Sequence, residues 1–120
     1  MEGRNKTVGA WGEDQACRFL IRQGFSIIER NYHTTVGEID IVATKLEDYY
    51  FVEVKTRQAG ALAYDTAVTE QKRRKLAKTI NHYCYHRSIS RDNVSLVTAS
   101  LMVVINKIIK TVSFRLAVLY

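Results

Sequence analysis

Three stretches rich in β-branched and aromatic residues, 25–31, 37–43 and 49–56, follow one another with only short polar turns between them. Strands joined that closely pair as a meander, and this constrains the fold more than any other feature of the chain. In the middle run, Gly37-Glu-Ile-Asp-Ile-Val-Ala43, strand alternation sets Ile39 and Ile41 on one face and Glu38 and Asp40 on the other. Ahead of the meander, Val8, Trp11, Gly12, Ala16, Phe19 and Leu20 form a stripe of helical period from Thr7 to Gln23, with Thr7 as N-cap and Gly24 at the C′ position. Behind it, residues 58–65 around Gly60 read as a surface loop. Thr69 then caps a second helix running to about Arg87. Its row Lys72, Leu76, Ile80 and Tyr83 is expected to face the sheet, and Arg74, Lys75, Lys78, His82 and Tyr85 to face water. Two further β-rich runs, 94–105 and 108–119, meet at Asn106-Lys107, a tight hairpin turn. The order α-β-β-β-α-β-β predicts a mixed α/β domain of α+β character, a five-stranded sheet flanked by helices.

Composition supports one such domain over residues 1–120. With 47% hydrophobic and 10% aromatic residues the chain supplies its own core, which excludes intrinsic disorder. The longest apolar run, Leu101 to Ile105, is far short of the ~20 residues that cross a bilayer, so no membrane segment is expected. Cys17 and Cys84 are too few and too widely spaced for a disulfide framework or a zinc site, and they read as small core residues in a reducing cytoplasm. Charge is unevenly divided. Residues 1–60 carry 8 basic and 9 acidic side chains, whereas residues 61–120 carry 10 basic and 3 acidic. The second half therefore presents a field suited to a polyanion, of which nucleic acid is the commonest.

Chemistry concentrates on two of the strands. Glu53 and Lys55 are two apart and project together, and if the strands holding Asp40 and Glu53 pair as a hairpin, both carboxylates reach one cation. Two carboxylates with an open side suit Mg²⁺, which keeps several waters, whereas zinc would call for His or Cys. A cation there lowers the pKa of bound water and neutralises phosphoryl charge, and the Lys55 ammonium orients or deprotonates the attacking water. The same Glu-x-Lys pattern also reads as an ordinary cross-strand ion pair. Glu13 lies off the apolar row of the first helix, beside Gly12, whose missing side chain permits a close helix–sheet approach. It either reaches the same cation or is a solvated carboxylate. Lys72 is the polar member of an inward row, aimed at a phosphate or snorkelling. Arg73, Arg74, Lys75 and Lys78 are phosphate-positioning contacts or a solvated helix face. Tyr49, Tyr50 and Tyr64 stack on bases or pack in the sheet. His82 and His86 lack a third ligand and read as a solvated face.

Four blocks in sequence, Gly9-Ala-Trp-Gly-Glu-Asp-Gln-Ala16, Gly24-Phe-Ser-Ile-Ile-Glu-Arg-Asn31, Gly37-Glu-Ile-Asp-Ile-Val-Ala43 and Phe51-Val-Glu-Val-Lys-Thr-Arg57, resemble the YraN-like family of small bacterial proteins. Through that family the chain is similar to the PD-(D/E)XK nuclease superfamily, and within it to archaeal Holliday-junction resolvases. The resemblance implies a restriction-endonuclease-like core that uses Mg²⁺ or Mn²⁺. It further implies Asp40 and Glu53 as metal ligands, the carbonyl of Val54 as another, Lys55 as catalytic lysine and Glu13 as auxiliary acid. The implied reaction is in-line phosphodiester cleavage, with water attacking opposite the departing sugar oxygen. Read together with the basic second half, the expected function is a cytoplasmic metal-dependent nuclease acting on DNA, branched DNA included, with Arg57 and the cations of the second helix on the phosphates. A domain too small to enclose a duplex alone is compatible with a homodimer. The alternative is a non-catalytic nucleic-acid-binding module that keeps the nuclease fold and acts with a DNA-processing partner.

Overall fold

The computed structural model describes residues 4–60 and 69–119. Its elements run α1 (Arg4–Arg22), β1 (Ser26–His33), β2 (Glu38–Lys45), β3 (Asp48–Gln58), α2 (Glu70–His86), β4 (Leu96–Asn106) and β5 (Thr111–Val118). The five strands form one sheet in the order β1-β2-β3-β4-β5, antiparallel except for the β3–β4 pair, which is parallel across the α2 crossover. This is the restriction-endonuclease-like arrangement. Most of the loop expected over 58–65, Tyr64 included, lies outside the described residues.

The helices cover opposite faces. Ala16, Cys17 and Leu20 of α1 join Ile41, Ala43 and Val52 in one buried cluster, while Ile80, Tyr83 and Cys84 of α2 join Val42 and Phe51 in the other. Adjacent residues of β2 and β3 thus go to different layers, as strand alternation requires. The end of α1 closes as a Schellman motif: Gly24 is left-handed at φ 93°, the Phe25 N–H donates to the Leu20 carbonyl, and the Gly24 N–H donates to that of Ile21, each at 3.0 Å. Its start differs from expectation. The helix begins at Arg4, so Thr7 lies inside it, because nothing in Arg4-Asn5-Lys6 breaks a helix. Thr69 does cap α2, its side chain accepting from the Lys72 N–H at 3.2 Å. The β4–β5 turn is also longer than the expected two residues. Asn106 Oδ1 accepts from the N–H groups of Ile108 and Ile109 at 3.1 and 3.2 Å, and Lys110 turns at φ 55°, since Asn-Lys lacks the glycine that a two-residue turn favours.

Gly12 sets the distance between α1 and the sheet. A Cβ at this position would lie 2.1 Å from Thr56 Oγ1. Gly12→Ala gains about 1 kcal/mol of helix propensity but incurs an overpacking cost of about 1–3 kcal/mol, so the variant is expected to be net destabilised in urea unfolding. In a Thr56→Ala background the obstruction is gone and the same substitution should stabilise. Loss of that sign reversal would show that the contact is not what holds α1 in place.

Candidate functional site

The site begins where β2 leaves β3. Their ladder runs from Lys45↔Asp48 to Ile41↔Val52 and stops there, while β3 continues along β4 as far as Gln58↔Ile105. Val54 would otherwise have an unmatched N–H on the β2 side. Instead its N–H donates to Asp40 Oδ2 at 2.8 Å, so the carboxylate takes the place of a ladder carbonyl. The departure of β2 also corrects the simple alternation expected around Asp40. Ile41 packs with α1 but Ile39 packs with α2, so the two isoleucines lie on opposite faces of the sheet. The partner strand turns with it, carrying a bulge between Ile27 and Glu29 and a left-handed Asn31 at φ 54°.

Burial raises the Asp40 carboxyl above the ordinary aspartate range. The Val54 N–H opposes this, the neighbouring carboxylates of Glu38 and Glu53 add to it, and His33 lowers it. A cation beside Asp40 would offset the Glu53 charge that raises its carboxyl. Among the described residues no group of three or more His, Cys, Asp or Glu side chains converges to hold one. Asp40 and Glu53 are carboxylates of the kind through which Mg²⁺, which needs only one or two and keeps its waters, can bind. Asp40, Glu53 and the Val54 carbonyl are the groups that would hold it.

Glu53 and Lys55 share a face with Phe51. Leu76, Ile80 and Tyr83 of α2 pack against the buried end of that face, and beyond Phe51 the surface opens into a cleft of about 590 Å³. Glu53 and Lys55 line it on the sheet side, Lys72 and Lys75 on the α2 side, and the 33–38 turn closes it. Asp40 borders a smaller adjoining cavity that shares Glu38, Glu53 and Leu76 with the cleft. The turn is held by Thr34, whose Oγ1 accepts from the Val36 and Gly37 N–H groups at 3.0 Å. It presents the exposed pair His33 Nδ1–Glu38 Oε2 at 3.0 Å. Along the chain this turn reads as a bare connection, with Glu38 beside Asp40 on the strand face and no signal at His33.

The remaining expected site residues divide. Glu13 comes from α1, so it approaches Asp40 from the face opposite the cleft, and it lines neither cavity. Its Oε1 is buried without a hydrogen-bond partner among the described residues, and Arg30 stands 3.9 Å away. Burial first, and then the Asp40 charge, raise its carboxyl above the ordinary range, against the opposing pull of Arg30 and Asn31. The folded protein therefore holds this proton more tightly than the unfolded chain does. Above the unfolded value of about 4.3 the charge detracts from stability, increasingly until the folded carboxyl is fully ionised. Glu13→Gln should raise the urea midpoint at neutral pH and leave it unchanged well below pH 4; a lower midpoint at neutral pH would mean that the ionised group is structurally required.

Arg57 lies at the far end of β3, opposite Val104, and does not line the cleft. Arg73, Arg74 and Lys78 are on the exposed side of α2, with Arg74 3.5 Å from Glu70. His82, expected to face water, is half-buried with Nδ1 2.7 Å from the Tyr32 hydroxyl, because β1 extends to His33 and brings Tyr32 under α2. Tyr50 packs edge-on against Phe25 at 4.8 Å and Tyr49 lies against the α2-side cluster, so both belong to the packing of the sheet.

Residues 12–105 match the family described as "Uncharacterised protein family UPF0102". A UPF0102 protein of Campylobacter jejuni is 44% identical over 84 residues, covering 70% of this chain and 74% of the relative. One of Syntrophomonas wolfei is 38% identical over 111 residues, covering 88% of this chain and 96% of the relative. One of Syntrophotalea carbinolica is 42% identical over 86 residues, covering 71% and 70%.

Proposed function

The chain belongs to the uncharacterised protein family UPF0102, homologous to YraN-like and PD-(D/E)XK-related bacterial proteins, and on that footing we propose that it is a Mg²⁺- or Mn²⁺-dependent nuclease. The observation that carries the reading is the break between β2 and β3, which sets Asp40 beside Val54 and leaves Glu53 and Lys55 on the wall of an open cleft. Asp40, Glu53 and the Val54 carbonyl would hold the cation, which would supply activation of water and offset of phosphoryl charge there. Lys55 orients the attacking water in line with the departing sugar oxygen. The new P–O bond forms as the bond to that oxygen breaks; the attacking water gives up one proton to solvent, and the departing sugar oxygen takes one from solvent and leaves as an alcohol. Glu13, behind Asp40, is an auxiliary acid acting through it. Arg57, Lys72, Arg73, Arg74, Lys75 and Lys78 contact phosphates and read no bases, giving salt-dependent affinity for DNA, branched forms included.

Among the described residues no helix is long and apolar enough to cross a membrane. The proposed setting is the cytoplasm, with a homodimer as the assembly able to span a branched substrate. The test is cleavage of labelled single-stranded, duplex, flapped and four-way-junction DNA with Mg²⁺ or Mn²⁺, comparing wild type with Lys55→Ala. Cutting by wild type and not by the variant is the expected result. Binding without cutting across the panel would assign the chain to the alternative, a non-catalytic module serving a DNA-processing partner.

A further inference from the structure

The basic residues of α2 fall into two classes that a charge count does not separate. Lys72 and Lys75 are three apart on the helix, so they emerge on one face with about 5–6 Å between their Cβ atoms. Both line the cleft, across from Glu53 and Lys55. Arg74 and Lys78 do not line it; Arg74 is engaged by Glu70 on the exposed side.

The position of the two lysines is built in at both ends. Thr69 caps the first turn through the Lys72 N–H at 3.2 Å, which fixes where the helix starts. One turn further, the buried Thr79 donates its hydroxyl to the Lys75 carbonyl at 2.8 Å. A Cβ at Gly37 would lie 2.7 Å from Thr79 Oγ1 and 3.8 Å from Lys75 Cγ, so the 33–38 turn is packed directly on this part of α2. A lysine on a free surface helix has no such reference points. Here the helix is packed on the turn that lines the cleft, and Lys72 and Lys75 line the same cleft as Lys55.

Building on the nuclease reading, we infer that Lys72 and Lys75 are substrate-positioning residues that hold the phosphates adjoining the scissile one on the same strand. The substrate class is then a nucleic-acid strand tracked along its backbone. A row along one helix face matches successive charges of a single strand, and a point charge on a flexible stem binds a phosphate without reading bases. Arg74 and Lys78 supply general attraction.

The test is a coupling cycle in binding, made in the Asp40→Asn background so that cleavage does not intrude. A short fluorescein-labelled single strand is compared with versions in which a neutral methylphosphonate replaces one phosphate at each successive position, and affinity is read by fluorescence anisotropy. Lys72→Ala and Lys75→Ala should each weaken the all-phosphate strand about tenfold, as expected for a charged hydrogen bond, and reduce the salt slope by about one unit. Each loss should vanish on the strand neutralised at one particular position, the two positions being neighbours, and Lys72→Arg should restore binding. A purely structural role would weaken every strand alike. Equal loss on all strands, or no loss on any, overturns the inference. Because the readout is binding, the cycle tests the contact of the two lysines with neighbouring phosphates of one strand whether or not the wild type cuts, whereas a wild type that binds and never cuts overturns the nuclease reading and removes only the scissile phosphate as their point of reference.

Discussion

Asp40→Asn is expected to lower Mg²⁺-dependent cleavage by a factor on the order of 10³, the scale of losing a group that stabilises transition-state charge, while the protein stays folded. The second half of that expectation follows from the hydrogen bond that the carboxylate makes to the backbone. It accepts the Val54 N–H at 2.8 Å, and an asparagine carbonyl accepts the same hydrogen bond. The charge itself adds nothing to the fold. Burial and the neighbouring carboxylates raise the Asp40 pKa above its ordinary value, so the folded state binds this proton more tightly than the unfolded chain. Stability is then lost as pH rises from the unfolded value of about 3.9 through the folded one, and the neutral variant escapes that loss. At neutral pH the variant should therefore unfold at or above the wild-type midpoint and cut at a small fraction of the rate. Wild-type cutting by the variant would remove Asp40 from the site. Loss of its cooperative unfolding would show instead that the carboxylate, and not merely an acceptor, is required where β2 parts from β3.

Phe51→Ala should cost about 3–5 kcal/mol, a large share of the roughly 5–15 kcal/mol that holds a domain together. Phe51 is 1% exposed, lies edge-on to Tyr83 with ring centroids 5.7 Å apart, and is the sheet residue around which the α2-side cluster assembles. Tyr83 cannot readily collapse into the space. Its own ring is 1% exposed and edge-on to Tyr32, with Arg87 stacked 5.5 Å from its centre, and burial with the adjacent Glu29 pushes its hydroxyl up to about 12. The effect should extend to function. Phe51 supports the face that carries Glu53 and Lys55, so a partly collapsed cavity would tilt α2 and with it the cleft. Urea unfolding gives the energetic part. A loss below about 1.5 kcal/mol, the range of well-tolerated core swaps, would mean that the layer under α2 repacks freely.

Much of this was legible along the chain because it depends on near neighbours. The Gly24 helix stop, the Thr69 cap, the close approach at Gly12 and the alternation that puts Glu53 beside Lys55 are set by steric rules acting over a few residues. The meander was equally plain, since short polar turns leave consecutive strands little else to do. The four sequence blocks carried the family, which the match over residues 12–105 shows.

Other features depended on pieces distant in the chain. Local alternation put Ile39 and Ile41 on one face, but the strand leaves its ladder between them, because Asp40 satisfies a backbone donor fourteen residues away. No periodicity contains that substitution of a side chain for a ladder carbonyl. Likewise, the sequence leaves Glu13 either reaching the same cation or solvated, with nothing to say from which face it comes; because the two helices cover opposite faces, α1 brings it toward Asp40 from the side away from the cleft. Periodicity sets Lys72 on the inward row and Lys75 with Arg74 and Lys78 facing water; Lys75 joins Lys72 on the cleft because Lys75 and Thr79 of α2 come to rest against Gly37. Sequence by itself determined the elements, their order and the residues able to do chemistry, because local geometry and side-chain type settle those. Which of those residues share one cleft was set by packing, because helix placement and strand departure are decided by long-range contacts that must all be satisfied together.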